Sequence, residues 1–567
     1  MKKSLCALVL IFMVNVVHGQ SFPADHAFDQ GSNIVLPSLS VQKIKHLTDV
    51  GLIWGFLKYH HPAIAEGKYQ WDYELFRILP AVSLVSTDQQ FDSLMIQWIH
   101  RLGPIGAPAK KDSVLSEIKL APDHSWMNRS SLSPDLKALL YQIRDVKKSP
   151  DHYYVWIHPF IGYPDFKHEN KYDKSPYPDT GFRLLALYRY WNIIHYFFPY
   201  RYLMDENWND ILPAFIPKVV SAKNETEYTL AVLELIGKIQ DTHASVWGNN
   251  PTLRKFFGIN KAPVKLVFVD DQPVVTRQMM EDSAEKLSLK IGDIITHVNG
   301  RSVAKIKEAR LRYTPASNYP TQLREFANSL LRTNDSMIQV KIIREGKRVR
   351  KTIKTYPLDT LKKLEAQSND SSFRLISPDI AYINNELLKV THLSKIWPVI
   401  KDTKGLVIDI RNYPYNFPVY DLCNYLMAEG YPFVKFSSGS VTTPGQFTIK
   451  QTLKAGITNK RPYLGKIVIL VNEITQSSGE FHAMAYRTHP NATVIGSTTA
   501  GADGNISIFY LPGGIRTMIS GCGIYYPDGK ETQRVGIIPD RVVKPTLQGI
   551  KQGKDELLEA AIQLIRQ

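Results

Sequence analysis

The chain has 567 residues, 44% of them hydrophobic and 22% charged, with a formal net charge of +16. That length exceeds what one hydrophobic core supports, and the composition excludes a disordered or low-complexity protein. The positive balance favours acidic surfaces in general, but no basic run is interleaved with aromatic residues, so no nucleic-acid partner is expected.

The elements follow in chain order. Lys2 and Lys3 precede a nearly unbroken apolar run from Leu5 to Val17, and Val17 and Gly19 put small residues at its end. Residues 1–19 therefore read as a secretory signal peptide, since a run this short spans a bilayer poorly. The expectation is an exported chain, periplasmic or extracellular, with no membrane association implied once the signal is gone. Cys6 lies inside the signal without the small-residue pattern of a lipidated cysteine. Cys423 and Cys522 are too few for a disulfide framework, and whether they pair stays open.

Residues 20–258 read as helical and contain a duplication. At an offset of 137 positions Trp54 falls on Trp191, Tyr59 on Tyr196, Pro62 on Pro199, Trp71 on Trp208, Leu75 on Leu212 and Pro80 on Pro217. Thr87 with Gln90 falls on Asn224 with Glu227, a capping-box spacing that opens a helix in each copy. Each copy predicts an amphipathic aromatic helix ending at a proline, a second helix near the later tryptophan, and a capped third. The copies give a first module over 20–175 and a second over 176–258. Only the second ends in Asp241-Thr242-His243; the first has Gly103-Pro104-Ile105-Gly106 there. If His243 does chemistry, the first copy is an inactive module for packing, access or substrate guidance.

Residues 259–355 change to short alternating runs, Val264–Val269 and Ile338–Ile343, which predict strands. Between them Leu289-Lys290-Ile291-Gly292-Asp293-Ile294-Ile295-Thr296-His297-Val298-Asn299-Gly300 resembles the PDZ-domain stretch L-x-x-G-D-x-I-x-x-V-N-G. The resemblance implies turns at Gly292 and Gly300, core positions at Ile294, Ile295 and Val298, and an extended peptide added at a sheet edge.

From 356 to 567 strands alternate with helices. Leu406–Ile410, Ile467–Val471 and Ala492–Ile495 read as buried parallel strands, with helices from about 419 and about 478. Strand 467–471 runs into Asn472-Glu473-Ile474-Thr475-Gln476-Ser477-Ser478-Gly479-Glu480. Ser477 with Glu480 fits a helix cap, and spacing alone favours that use. A serine there also suits a nucleophile, because the helix N-terminus stabilises a developing oxyanion.

The order of helical module, D-T-H, PDZ-like stretch, D-I-R-N, V-N-E-x-x-x-S-x-x-E and G-x-x-T-A-G-A-D-G-N resembles the C-terminal-processing (tail-specific) serine peptidases over roughly residues 180–550. That likeness implies a multidomain α/β protein with helical N-terminal modules, a PDZ-like β domain and a crotonase-like (ClpP/crotonase) ββα core. Ala502 stands where one branch carries a catalytic lysine, so a serine–lysine dyad is absent. The tricorn-like branch takes its base from the helical module, and His243 matches it. The resemblance then implies Ser477 as nucleophile and His243 as base. Thr242 and a C-terminal glutamate would orient the histidine, but Gln533 stands where that glutamate is expected, and Glu531 lies two residues away. The oxyanion hole would use the N–H of Ser478 and one from the loop after Arg411. Pro414 has no N–H, which leaves Tyr413 or Tyr415, with Tyr413 the choice.

The adjacent His60 and His61 do not suggest a metal pair, and His482 reads as packed or exposed on its helix. No metal and no cofactor is expected. The predicted activity is hydrolysis of peptide bonds in exposed or unfolded protein segments. The competing expectations are an inactive peptide-binding protein of the same fold and an esterase-like serine hydrolase.

Overall fold

Two tryptophan pairs frame the helical half in the computed structural model, which describes residues 25–36, 38–109, 117–129, 131–280, 289–365 and 371–567. The indole N–H of Trp54 donates to the carbonyl of Trp71 at 3.1 Å, and that of Trp71 donates back to Trp54 at 3.0 Å. Trp191 and Trp208 repeat the exchange at 2.8 and 3.0 Å. A buried indole needs an acceptor, and here each tryptophan supplies one for the other. The duplication thus shares a hydrogen-bonded device as well as a residue pattern. The signal-peptide residues 1–19 lie outside the described residues.

The helices correspond copy by copy. Val41–His60 matches Thr180–Phe197, Trp71–Leu84 matches Trp208–Val220, and Asp88–His100 matches Glu225–Gly237. Thr87 and Gln90 form both halves of a capping box, while Asn224 Oδ1 accepts the Glu227 N–H at 3.0 Å. The first helix of each copy departs from the amphipathic expectation. From Gly181 to Phe197 every residue is buried, and from His46 to His60 all but Thr48 are. The cause is that the two copies pack on each other. Asn192 Nδ2 donates to the Gly51 carbonyl at 3.0 Å, and a Cβ on Gly55 would sit 1.8 Å from Asn192 Cγ. Both copies share a single core, which also takes in Phe509, Leu511, Ile515 and Ile519 of a ribbon (Ile506–Leu511 with Ile515–Ser520).

The next unit is a β sheet. Its strand order is Lys347–Lys354, Met337–Arg344, Ile294–Val298, Gln272–Gln278, Val264–Val269. Gly292 and Gly300 take φ of +88° and +80° at the two turns, and Ile294, Ile295 and Val298 are buried. Helix Tyr319–Leu330 lays Phe326 and Leu330 on the sheet's core. Among the described residues Val264–Val269 is paired on one side only.

The third unit is a six-stranded sheet in the order Phe373–Ser377, Ile380–Asn384, Gly405–Asp409, Lys466–Val471, Ala492–Gly496, Arg541–Val542. The first pair is antiparallel and the rest are parallel. Both faces are covered, which is why these strands read as unbroken apolar runs. Leu406, Ile408, Ile467 and Ile469 share a core with helices Val419–Leu426 and Ser478–Tyr486. Val407, Val468 and Ile495 face Ala561 and Ile565 of the C-terminal helix Glu556–Arg566.

A buried ion network joins the helical copies to each other and to the ribbon. Arg189 Nη2 donates to Asp72 Oδ2 at 2.6 Å, Arg189 Nε lies 2.8 Å from Glu169 Oε2, and Lys58 Nζ donates to Glu169 Oε1 at 2.7 Å. All four side chains are at most 2% exposed. Arg189 Nη1 also donates to the Tyr510 carbonyl at 2.7 Å. Breaking a buried pair leaves an uncompensated charge, so Asp72→Asn should cost about 3–5 kcal/mol. Asp145→Asn, which breaks the solvent-facing pair with Arg144, should cost less than about 1 kcal/mol. Thermal midpoints of the two variants compare them directly, and equal losses would contradict this account of the network.

Candidate active site

The site starts at the carboxyl end of the central parallel strand Lys466–Val471, where ligands of open α/β sheets gather. The chain turns through Asn472–Gln476 and reaches Ser477 at φ +53°, ψ −118°, before helix Ser478–Tyr486 begins. A non-glycine residue at positive φ is strained by about 1–3 kcal/mol and persists only where its surroundings hold it. Here the Ser477 N–H donates to the Ala502 carbonyl at 3.0 Å and to Glu480 Oε2 at 3.1 Å. Thr475 Oγ1 donates to the Ile410 carbonyl at 2.6 Å, which pins the turn to the neighbouring strand end. Arg324 of helix Tyr319–Leu330 clamps the same turn, donating to the Glu473 carbonyl at 2.7 Å and to Gln476 Oε1 at 2.9 Å.

Glu480 is fully buried and gathers four donors. Besides Ser477 it accepts from Ala502 N at 3.0 Å, Gly501 N at 2.8 Å and Thr499 Oγ1 at 2.5 Å. Burial pushes its carboxyl above the ordinary glutamate value, while the hydrogen bonds pull the other way. The residue that the sequence offered as half of a capping box therefore also fixes the 499–502 loop behind the serine.

His243 arrives from the other half of the chain. After helix Glu225–Gly237 the segment 241–247 runs beside the ribbon, where the Trp247 N–H donates to the Arg516 carbonyl at 2.8 Å. Trp247 Nε1 also donates to the His243 carbonyl at 2.8 Å. His243 is 5% exposed, and its Nδ1 lies 2.8 Å from Ser520 Oγ. Burial pushes the imidazole below the ordinary histidine value, and Asp241 opposes that shift. The side chain of Asp241, wholly buried, accepts from Ser520 Oγ and N at 3.0 and 2.7 Å, from His243 N at 3.1 Å and from Gln533 Nε2 at 3.3 Å.

The expected orienting residues lie as follows. The Thr242 hydroxyl donates to the Ala500 carbonyl at 3.1 Å and accepts the Ser317 N–H at 2.9 Å, so it ties His243's segment to the loop behind Ser477. Glu531 Oε1 accepts from Lys119 Nζ at 2.7 Å and Tyr202 OH at 2.8 Å, and among the described residues no hydrogen bond joins it to His243. Gln533 reaches Asp241. Asp241 and Ser520 carry the contact with the histidine, and neither was singled out by sequence. Asp241 lay inside the quoted D-T-H; Ser520 ends an ordinary strand and gave no signal.

Ser477, Ser478, His243 and Tyr413 line one cleft of about 1960 Å³, together with strand Val264–Val269. Among the described residues no acceptor engages the N–H of Ser478 or Tyr413, whereas the Tyr415 N–H donates to the Glu386 carbonyl at 3.1 Å. His482 is buried against Phe417, with burial holding its imidazole down at about 4. Ala502 offers its carbonyl to Ser477. Cys423 and Cys522 are free and buried. Among the described residues no cluster of three or more His, Cys, Asp or Glu could hold a metal ion.

Residues 379–543, which contain the six-stranded sheet from its second strand onward, match the sequence model of peptidase family S41. No curated protein matches the chain. The solved structure of mature CPAF complexed with lactacystin is similar in fold, with a TM-score of 0.54 at 14% identity, over 68% of this chain and 98% of that one. A putative peptidase from Parabacteroides merdae gives 0.40 at 17% identity, over 69% of this chain and 97% of that one. The photosystem II D1 C-terminal processing protease gives 0.38 at 16% identity, over 66% and 98%. Residues 379–543 are therefore a peptidase family S41 domain, and the chain carries the core of a serine-type peptidase.

Proposed function

We propose that the chain is an endopeptidase that cuts exposed or unfolded protein segments, C-terminal tails included, through an acyl-enzyme on Ser477 with His243 as its base. One observation carries this. A serine held at positive φ at a helix N-terminus lines the same cleft as a buried histidine whose Nδ1 is already engaged. His243 Nε2 takes the Ser477 proton as Oγ attacks the scissile carbonyl carbon. The carbonyl electrons move onto oxygen, toward the free N–H groups of Ser478 and Tyr413. Collapse of that intermediate expels the amine, which leaves with the proton from His243. Water then repeats the sequence on the acyl-enzyme.

The substrate is read as an added strand. Val264–Val269 has an open edge on the cleft, and helix Tyr319–Leu330 runs beside it, an arrangement that suits a PDZ-like peptide groove. A mature, exported form rests on Lys2, Lys3 and the apolar run alone.

Ser477→Ala and His243→Ala should each lower cleavage of a casein-like substrate by about 10⁴-fold or more. Equal activity in either variant would sink the assignment. A serine-reactive phosphonate should label the wild type and not Ser477→Ala. Cleavage of simple esters without cleavage of peptides would favour an esterase, and no labelling at all an inactive binder.

The base works only when neutral, and burial lowers the pKa of His243. Activity should therefore be present at neutral pH and be lost as pH falls through that lowered value. The acid limb of kcat/KM should lie below the ordinary histidine value of about 6.5. A limb at or above it would contradict a buried His243 as base.

A further inference from the structure

We infer that Ser520 and Asp241 are the positioning residues of His243, and that together they fix which ring nitrogen holds the proton. The inference rests on His243 being the base, and deepens that assignment by supplying its third group.

A serine hydroxyl has one proton to give and two neighbours here. Ser520 Oγ lies 3.0 Å from Asp241 Oδ1 and 2.8 Å from His243 Nδ1. Every described partner of Asp241 is a donor: two backbone N–H groups, the Ser520 hydroxyl and the Gln533 amide. A carboxylate in that setting only accepts. The Ser520 proton therefore goes to Asp241, and the only role left for Oγ toward the ring is to accept. Nδ1 must then carry hydrogen, and Nε2 keeps its lone pair for the cleft. The opposite arrangement would set the Oγ lone pairs against the Asp241 carboxylate at 3.0 Å with nothing between them.

Direct contact does not do this, since His243 Nδ1 and Asp241 Oδ1 are 3.8 Å apart. The hydroxyl is the link. When Nε2 takes the Ser477 proton, the Nδ1 proton stays in place. The imidazolium then faces a buried carboxylate through one bridging oxygen, and that charge favours it.

The arrangement also accounts for Gln533. A glutamine cannot supply negative charge, but its amide N–H can hold a carboxylate that sits elsewhere. The charge lies at Asp241, and Gln533, 1% exposed, braces it. Ser520 is itself well held. It is wholly buried at the end of strand Ile515–Ser520, and its own N–H donates to Asp241 Oδ2 at 2.7 Å.

The test measures kcat, KM and the pH profile on one unstructured peptide for wild type, His243→Ala, Ser520→Ala and Asp241→Asn, with thermal melts as a check on folding. Ser520→Ala deletes only one oxygen and serves if Asp241→Asn folds poorly. Asparagine at 241 removes the carboxylate charge, and its amide nitrogen meets an N–H in either orientation: that of Ser520 at the Oδ2 position, or those of His243 and the Gln533 amide at the Oδ1 position. Asp241→Asn should therefore lose about 10³–10⁴-fold in kcat at unchanged KM, with a smaller loss for Ser520→Ala. In both, the acid limb of the residual activity should move to lower pH, because the imidazolium has lost its carboxylate link. Wild-type kcat and an unshifted limb in folded Ser520→Ala and Asp241→Asn, beside an inactive His243→Ala, would overturn the positioning role alone. Full activity in His243→Ala would overturn the base assignment and the positioning role with it.

Discussion

The buried carboxylate of Glu480 is the constraint on which the serine's geometry depends. It holds four donors from two separate stretches: the start of the helix behind Ser477 and the 499–502 loop. Without that tie the positive φ of Ser477 would rest on the Ala502 carbonyl, the Thr475 hydroxyl and the Arg324 clamp alone. A carboxylate buried without partners would be far costlier than the strain it supports, so the donors and the strain are mutually dependent. The same loop receives the Thr242 hydroxyl through Ala500 and the Asn318 amide through Thr499, at 3.1 and 2.8 Å. One carboxylate therefore sets a reference point against which the helical half and the β unit both register.

The site is consequently a product of three units. His243 comes from the second helical copy, Ser477 from the parallel sheet, and Arg324 with Ser317 from the β unit between them. Placement within a fraction of an ångström decides rate in such constellations. The contacts that carry the placement are mostly side chain to backbone, as with Arg324 to Glu473 and Trp247 to His243. Such contacts fix a segment's position without requiring a particular partner side chain, so they leave little trace in sequence.

That explains what could be read beforehand. The parallel strands, the duplication, the turns at Gly292 and Gly300, and the pair Ser477–Glu480 all follow from local rules: apolar runs, periodic aromatics, positive φ and capping. Apart from the duplication, read from a fixed offset, those features were legible because the residue and its reason lie close together in the chain. The amphipathic expectation for the first helix of each copy failed because the two copies bury each other, and periodicity cannot anticipate a partner 137 residues away. Ser520 was invisible for the same reason. It gains its meaning from Asp241, 279 positions earlier.

The duplication explains where the first copy's loop went. At the position equivalent to His243's segment, Gly103, Pro104 and Gly106 are exposed. The chain instead goes on to strand Ile118–Leu120, which pairs with Phe447–Ile449 in the peptidase half. Lys119, on that strand, lies over the Tyr525 ring and donates to Glu531. So both copies insert something into the same half: the second a histidine, the first a strand. Glu531 meets the first insertion through Lys119 and the second copy through Tyr202. Its carboxylate is committed to Lys119 and Tyr202, which is a physical reason for the negative charge near His243 to come from Asp241.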